Sequence, residues 1–380
     1  KGLLHGFYKG VERALEYNPR HLRAMAVMRI KEQLEQPLPE RTESEDLLRA
    51  TVQKSDMKIR RSAHYILLHD TPDRVPEGRK DNRATERLEL LERVYESFML
   101  KFYSRGVELD LPKERMKVVL LNKHQDYLNF ATKLDPSLQS AAGFWDSESN
   151  IAVFYDQASD SAFDALRDLS QQFQQLRDEA TRRRHPRRAE IIRLANTMIQ
   201  LVNIKQEDQD VSVVSHEATH QMAGNTGLLP RDAAIPVWVH EGLATYFESP
   251  NDAVWAGIGA VNEQRLDWYR ALEGDRVHSN IDFIVSDHIF QQARTHEAML
   301  HGDGQTWALT HYLLVHHFYR LIDFYRRLGN FKKDDEVTFE QYKDAFNQSF
   351  GSTRQSLDAT WRQYMRGLRT DTDRWLAESR

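Results

Sequence analysis

The stretch SHEATHQ (215–221) decides how the rest of the chain is read. In an α-helix of 3.6 residues per turn, side chains four apart lie on one face with Cβ atoms about 5–6 Å from each other, so His216 and His220 would point the same way. Two imidazoles on adjacent turns can hold one divalent cation. Glu217, on the neighbouring edge of that face, can reach a water on the cation without ligating it. The flanks suit a helix: Asp210 is a good N-cap, VSVVSHEATHQMA offers an apolar flank, and Gly224 suits a C-terminal stop. With 16 histidines in 380 residues, a His-Glu-x-x-His run should arise by chance in roughly one chain in twenty, so the motif needs a third ligand to carry weight. PVWVHEGLATYFES (236–249) supplies one: Glu241, on a second apolar helix that can pack against the first and turn its carboxylate to the open side of the cation. His240 should point about 100° away from it. It would sit behind the ligands or at the surface, and becomes the alternative ligand if that helix begins later.

Composition narrows the ligand chemistry. The chain has no cysteine, which excludes disulfides, thiolate ligands and a cysteine nucleophile, so a metal must be held by His, Asp or Glu. Hydrophobic residues at 40%, charged residues at 29% and a net charge of -5 describe an ordinary globular chain. No apolar run approaches the roughly 18–20 residues needed to cross a bilayer. The chain opens on Lys1 rather than Met, which suggests a trimmed leader and, with the missing cysteines, leans towards an extracytoplasmic or secreted location.

Outward from the motif, three regions are expected. Residues 1–55 read as a helical N-terminal appendage ending in PLPERTESED. Residues 56–250 hold SAHYILLHD and RMKVVLLNK as strands around the helical RATERLELLERVYESFMLKFY, then AAGFWDSESNIAVFYD as a hairpin, and a helical stretch 160–206 broken at Pro186. Residues 251–380 read as a helical C-terminal subdomain, with TWALTHYLLVHHFYRLIDFYRRL its strongest helix and SLDATWRQYMRGL another. The basic run RRRHPRR (182–188) in a net acidic chain is read as a solvated helix connection, so nucleic acid is not expected as a partner. GIGA (257–260) lacks the preceding strand of a nucleotide loop and is read as a turn. His311, His316 and His317 are read as structural.

The pair HEATHQ and WVHEGLATYFE resembles the gluzincin branch of zinc metallopeptidases, the group containing thermolysin and the alanyl-type aminopeptidases. The resemblance implies an α+β fold: a thermolysin-like zincin core of small mixed sheet plus active-site helix, with a mostly helical C-terminal lobe. It also implies one Zn2+ ion held by His216, His220 and Glu241, with Glu217 as general base. A metzincin pattern is not met, because positions 223 and 226 are Ala and Thr. More of the chain, roughly 60–370, resembles a peptidase-like family numbered 1570 among domains of unknown function, through GAVNEQRLDWYRAL, QTWALTHYLL and SLDATWRQYMRGL as well as the hairpin. Asp303 departs from that pattern, where a Tyr is expected. His301, His311 and Tyr312 are then the candidates to hold an oxyanion.

The expected activity is hydrolysis of peptide bonds in a peptide or protein substrate, through a zinc-bound water activated by Glu217. No GAMEN-type segment precedes the motif, which favours an endopeptidase or oligopeptidase. If NIAVFYD is an edge strand beside the cleft, a substrate could add to it by backbone hydrogen bonds. Two other readings stand beside this one. The first is a catalytically degenerate, zinc-containing peptide- or protein-binding module. The second is a protein whose appendage and basic loop recruit a partner.

Overall fold

Two runs without polar alternation, YILLH and MKVVLL, are the kind that end up covered on both faces of a parallel sheet. The computed structural model, which describes residues 2–76, 79–183, 186–248, 260–351 and 354–378, places them so. Five strands form one mixed sheet: β1 (Lys58–Arg61), β2 (Tyr65–His69), β3 (Met116–Leu121), β4 (Gly143–Asp146) and β5 (Ile151–Tyr155), in the order β1-β2-β3-β5-β4. β2, β3 and β5 are parallel neighbours, while β1 and β4 are antiparallel edges. Because successive strand side chains point to opposite faces, Leu67, Val118, Leu120 and Phe154 enter the main core. Ile66, Val119, Leu121 and Val153 enter a smaller one with Leu48, Tyr127 and Ala131.

Helices cover both faces. α1 (Gly2–Tyr17), α2 (Leu22–Leu34) and α3 (Glu43–Val52) precede the sheet. α4 (Arg83–Tyr103) makes the crossover from β2 to β3, and α5 (His124–Leu134) follows β3. α6 (Asp164–Arg182) and α7 (Arg188–Asn225) form a hairpin around Pro186. Then come α8 (Val237–Phe247), α9 (Glu263–Leu272), α10 (Ile281–Val285), α11 (His288–Gln291), α12 (His296–His316), α13 (Phe318–Leu328), α14 (Phe339–Phe350), α15 (Arg354–Gly367) and α16 (Asp371–Glu378). One apolar core runs from Tyr8 and Val27 through α4, the sheet, α7 and α8 to Trp361 and Met365. The molecule is thus α+β, mostly helical, with a small mixed sheet. Among the described residues no helix is long and apolar enough to cross a membrane.

Four sequence expectations need correcting. Asp210 does not cap the motif helix: α7 begins at Arg188, and Asp210 lies inside it, buried, 2.5 Å from Arg87 Nη2. Gly224 is not the stop either. The chain takes its left-handed step at Gly227, φ +70°, while Gly224 lies inside the helix, where a Cβ would sit 2.7 Å from the Trp145 ring. The edge of the sheet is β4, GFWD, because β5, which carries NIAVFYD, is enclosed between β3 and β4. Finally, the long C-terminal run is two helices, α12 and α13, parted at His317 (φ −133°) with neither proline nor glycine to mark the break. Residues 257–259 of the GIGA stretch, and Arg184 and His185 of the basic run, lie outside the described residues.

Candidate metal centre

Three polar residues anchor the motif helix to the sheet. The Gln221 amide donates to the carbonyls of Lys117 and Asn150, at 3.0 and 3.1 Å. Asn225 exchanges amide hydrogen bonds with Asn150, and the Trp145 indole donates to Asn150 at 3.1 Å. Asn150 itself holds a left-handed turn, φ 57°, the conformation in which Asn is tolerated. The β4–β5 turn, the edge strand and α7 therefore form one hydrogen-bonded unit, and His216 and His220 emerge from it with ring centroids 4.7 Å apart.

α8 is held at the right height by a group that no local pattern shows. Pro236 opens the helix, and the buried Asp287, fifty residues away, accepts from the free N–H groups of Val237 and Trp238 at 3.0 and 2.8 Å. A carboxylate at a helix N-terminus satisfies orphan donors and the dipole together. Gly242 lets α8 lie against α12, since a Cβ there would come within 2.2 Å of Thr310 Oγ1. Glu241, the preceding residue, is thereby turned towards α7.

The donors meet. His216 Nε2 lies 3.1 Å from Glu241 Oε2 and His220 Nε2 lies 3.6 Å from Glu241 Oε1. The three donor atoms all lie within 4.8 Å of one another. Donors arranged tetrahedrally at zinc's usual 2.0–2.1 Å would be separated by about 3.3–3.4 Å, and the two histidine-to-carboxylate distances, though each to a different Glu241 oxygen, lie near that spacing, so the set fits a small cation. The side chains of His216, His220 and Glu241 keep 15, 11 and 25% of their surface accessible, which leaves an approach from solvent on the glutamate side.

Behind the donors stands a chain of charges. Glu248 accepts from His216 Nδ1 at 2.8 Å, which turns Nε2 towards Glu241. Arg265 grips both Glu248 oxygens, at 2.9 and 2.7 Å, and reaches Asp303 at 2.9 Å with its other arm. Asn262 adds a bond at 3.3 Å. A carboxylate on the far nitrogen of a ligating imidazole fixes its tautomer and orientation. Burial would raise the Glu248 carboxyl, but Arg265 and His216 hold it at about 2. Burial opposes a proton on His216, yet its hydrogen bonds to Glu241 and Glu248 raise it well above the ordinary histidine value. In effect the cluster calls for positive charge between His216 and Glu241. His220, lacking such support, is pushed down by burial to about 3 and stays neutral, the form that ligates a metal. Burial, reinforced by the charges of Glu241 and Glu248 and opposed by His216, raises Glu217 to about 7. A backbone hydrogen bond from Trp145 of β4 also reaches Glu217.

Every residue singled out from the motif is therefore in one place. The oxyanion candidates are engaged elsewhere: His311 stands 3.2 Å from the Tyr364 hydroxyl, Tyr312 donates to Thr360, and His301 Nδ1 lies 3.3 Å from the Trp268 carbonyl. Sequence reasoning missed Glu248, Arg265 and Asp287 altogether and noticed Asp303 only as a departure. His240 stands beside the donors, its ring 5.9 Å from that of His220, and with His220 and Glu241 it lines a cavity of about 380 Å³.

Comparison with known proteins adds a boundary to this picture. No curated protein and no solved structure matches the chain. Residues 210–333 match a family model described as "Protein of unknown function (DUF1570)", a stretch that holds the inner part of α7, the whole donor set and its supporting charges.

Proposed function

We propose that the chain is a zinc-dependent peptidase with a gluzincin-type site on a thermolysin-like core. The observation that carries the reading is that both Nε2 atoms of the α7 histidines face both oxygens of Glu241, with Glu217 between them in sequence and raised to about 7. His216, His220 and Glu241 would hold the ion. When bound, zinc supplies a Lewis acid that polarises a carbonyl and acidifies water. Glu217, titrating near neutrality, is suited to take a proton from water and hand it to the leaving amine. Glu248 and Arg265 keep the His216 ring from turning. β4, an edge strand whose Trp145 N–H already reaches Glu217, gives an extended peptide a backbone to pair with beside the general base.

The binding-module reading keeps one supporting observation: the Tyr expected two residues before QTWAL is Asp303, spent on Arg265. One experiment separates the two. Protein purified without chelator is analysed for metal, and it and its Glu217→Gln variant are incubated with a mixed peptide library read by mass spectrometry. Near-stoichiometric zinc in both and cleavage only by the unmodified protein are expected. Equal cleavage by both removes Glu217 as the base, and zinc without cleavage leaves the binding module.

A further inference from the structure

The cavity beside the donor set carries its cations away from the metal donors. Its apolar wall is Trp145 with Pro230 and Ile235, and its cationic rim is Arg231 and Lys333. Among the described residues the only acidic side chain on its lining is Glu241, whose charge is directed at the two histidines. The two rim cations are not equivalent. Lys333 reaches Glu148 at 3.3 Å, so its charge is answered. Arg231 makes a hydrogen bond to the Ser147 carbonyl at 3.1 Å and has no carboxylate partner among the described residues. Its stem is seated: a Cβ on Gly224 would lie 2.8 Å from Arg231 Cγ and 2.7 Å from the Trp145 ring, so the glycine lets both side chains close over the helix. Arg231 is exposed, and its guanidinium, with spare donors beside an apolar wall in a space of about 380 Å³, suits a carboxylate, which it can bind through two parallel hydrogen bonds.

Resting on the peptidase reading of the adjoining site, we infer that this cavity is a specificity pocket in which Arg231 binds a carboxylate of the peptide next to the bond presented to the donor set. That carboxylate is either an acidic side chain or the free C-terminus. Peptides with one would be preferred over their amide counterparts, and the preference would reside in Arg231 rather than in the metal ligands.

The test measures binding, not turnover. Zinc-loaded Glu217→Gln protein is titrated with short labelled peptides of one sequence, differing as Glu or Gln at successive positions and as free acid or amide at the C-terminus. Affinity is read by fluorescence anisotropy and zinc content is checked for each variant. At least one Glu/Gln or acid/amide pair should differ by about ten-fold, and adding Arg231→Ala should bring that ratio near one with zinc unchanged. Arg231→Lys should restore part of it, since a lysine keeps the charge but not the fork. A preference confined to the acid/amide pair identifies the C-terminus, and one confined to Glu/Gln identifies a side chain. No preference in any pair, no peptide binding, or a preference untouched by Arg231→Ala overturns the inference. Should the unmodified protein cleave nothing while the Arg231-dependent ratio persists, turnover is refuted and the pocket stands.

Discussion

α7 is one uninterrupted helix with two different environments. Its outer part, from Arg188 to about Lys205, packs mainly against α6 and leaves Leu194, Leu201 and Ile204 exposed by 54, 53 and 56%. Its inner part buries Val211, Val214, Ser215, Ala218, Thr219 and Met222 between the sheet, α4 and α8. The crossing point is marked by charge. Glu207 and Asp210 meet Arg79, Arg83 and Arg87, reaching over from the loop before α4 and from α4 itself. Backbone helicity is the same on both sides, so forming the helix pairs the histidines but is not by itself enough to make the site. It depends on the tertiary partners that take over where the helix enters the body.

The sharpest way to break this division is at the crossing. Asp210 is 1% exposed and Arg87 is 2% exposed. Burial raises Asp210 to about 6 although Arg87 and Arg83 pull the other way, so desolvation already outweighs the attraction there. Arg87→Met would leave the carboxylate buried against the weaker Arg83 contact of 3.5 Å. Removing one partner of such a pair costs about 3–5 kcal/mol, which chemical denaturation should show, with the proposed zinc binding lost in parallel because the histidines ride on the same helix.

Next in size is the support of His216. Glu248→Gln keeps the shape but weakens the hold on Nδ1, and zinc affinity should fall by about 10–100-fold in a competition titration against a chromophoric chelator. The same carboxylate contributes to the acid stability of the metal-free protein, beside Glu241 and Glu207, which are also held low. Its folded value of about 2 lies below the ordinary 4.5, so its contribution is complete above pH 4.5 and lost as the pH falls towards 2. Glu248→Gln should flatten that limb of the stability profile. An unchanged limb would show that Arg265 does not rely on Glu248.

What could be read from sequence follows the same division. The His216–His220 pairing is a matter of four-residue spacing, and Glu241 lay in a helical run followed by a glycine, so the donor set was visible. The true start of α7 was also encoded: no proline or glycine occurs between Arg187 and Ala223, and an acidic residue before an apolar run imitates a cap when its real partners, on α4, lie more than a hundred residues away. β1, KIRR, has no apolar alternation and exists because β2 offers it a free edge. Glu248, Arg265, Asp303 and Asp287 act between elements that no periodicity connects, and a sequence without aligned relatives gives no sign of such pairs.

A smaller effect is expected at Gly224. Alanine there gains helix propensity of roughly 1 kcal/mol but must displace Trp145 and Arg231, whose atoms would lie 2.7 and 2.8 Å from the new Cβ. Overpacking of this kind costs about 1–3 kcal/mol, so a net loss of up to about 2 kcal/mol should be seen, together with a changed Trp145 environment in near-ultraviolet circular dichroism. A stabilised variant with an unchanged spectrum would mean that the edge strand is free to yield.

The smallest effect tests the outer part of α7. Leu194, Leu201 and Ile204 lie seven and three residues apart, on one stripe of the helix, and more than half of each is in water. The inward positions Ala195 and Val202 are the ones that are buried. Replacing Leu201 and Ile204 with Ser removes little apolar area from a packed environment, and substitutions away from cores, caps and buried pairs usually stay within about 0.5 kcal/mol each. Thermal unfolding should therefore shift by only a few degrees, with zinc content and circular dichroism unchanged, even though the substituted residues share a helix with His216. If instead the double variant loses zinc, the outer and inner parts of α7 are coupled along the helix itself, and the charged crossing at Glu207 and Asp210 is not the boundary that insulates the site.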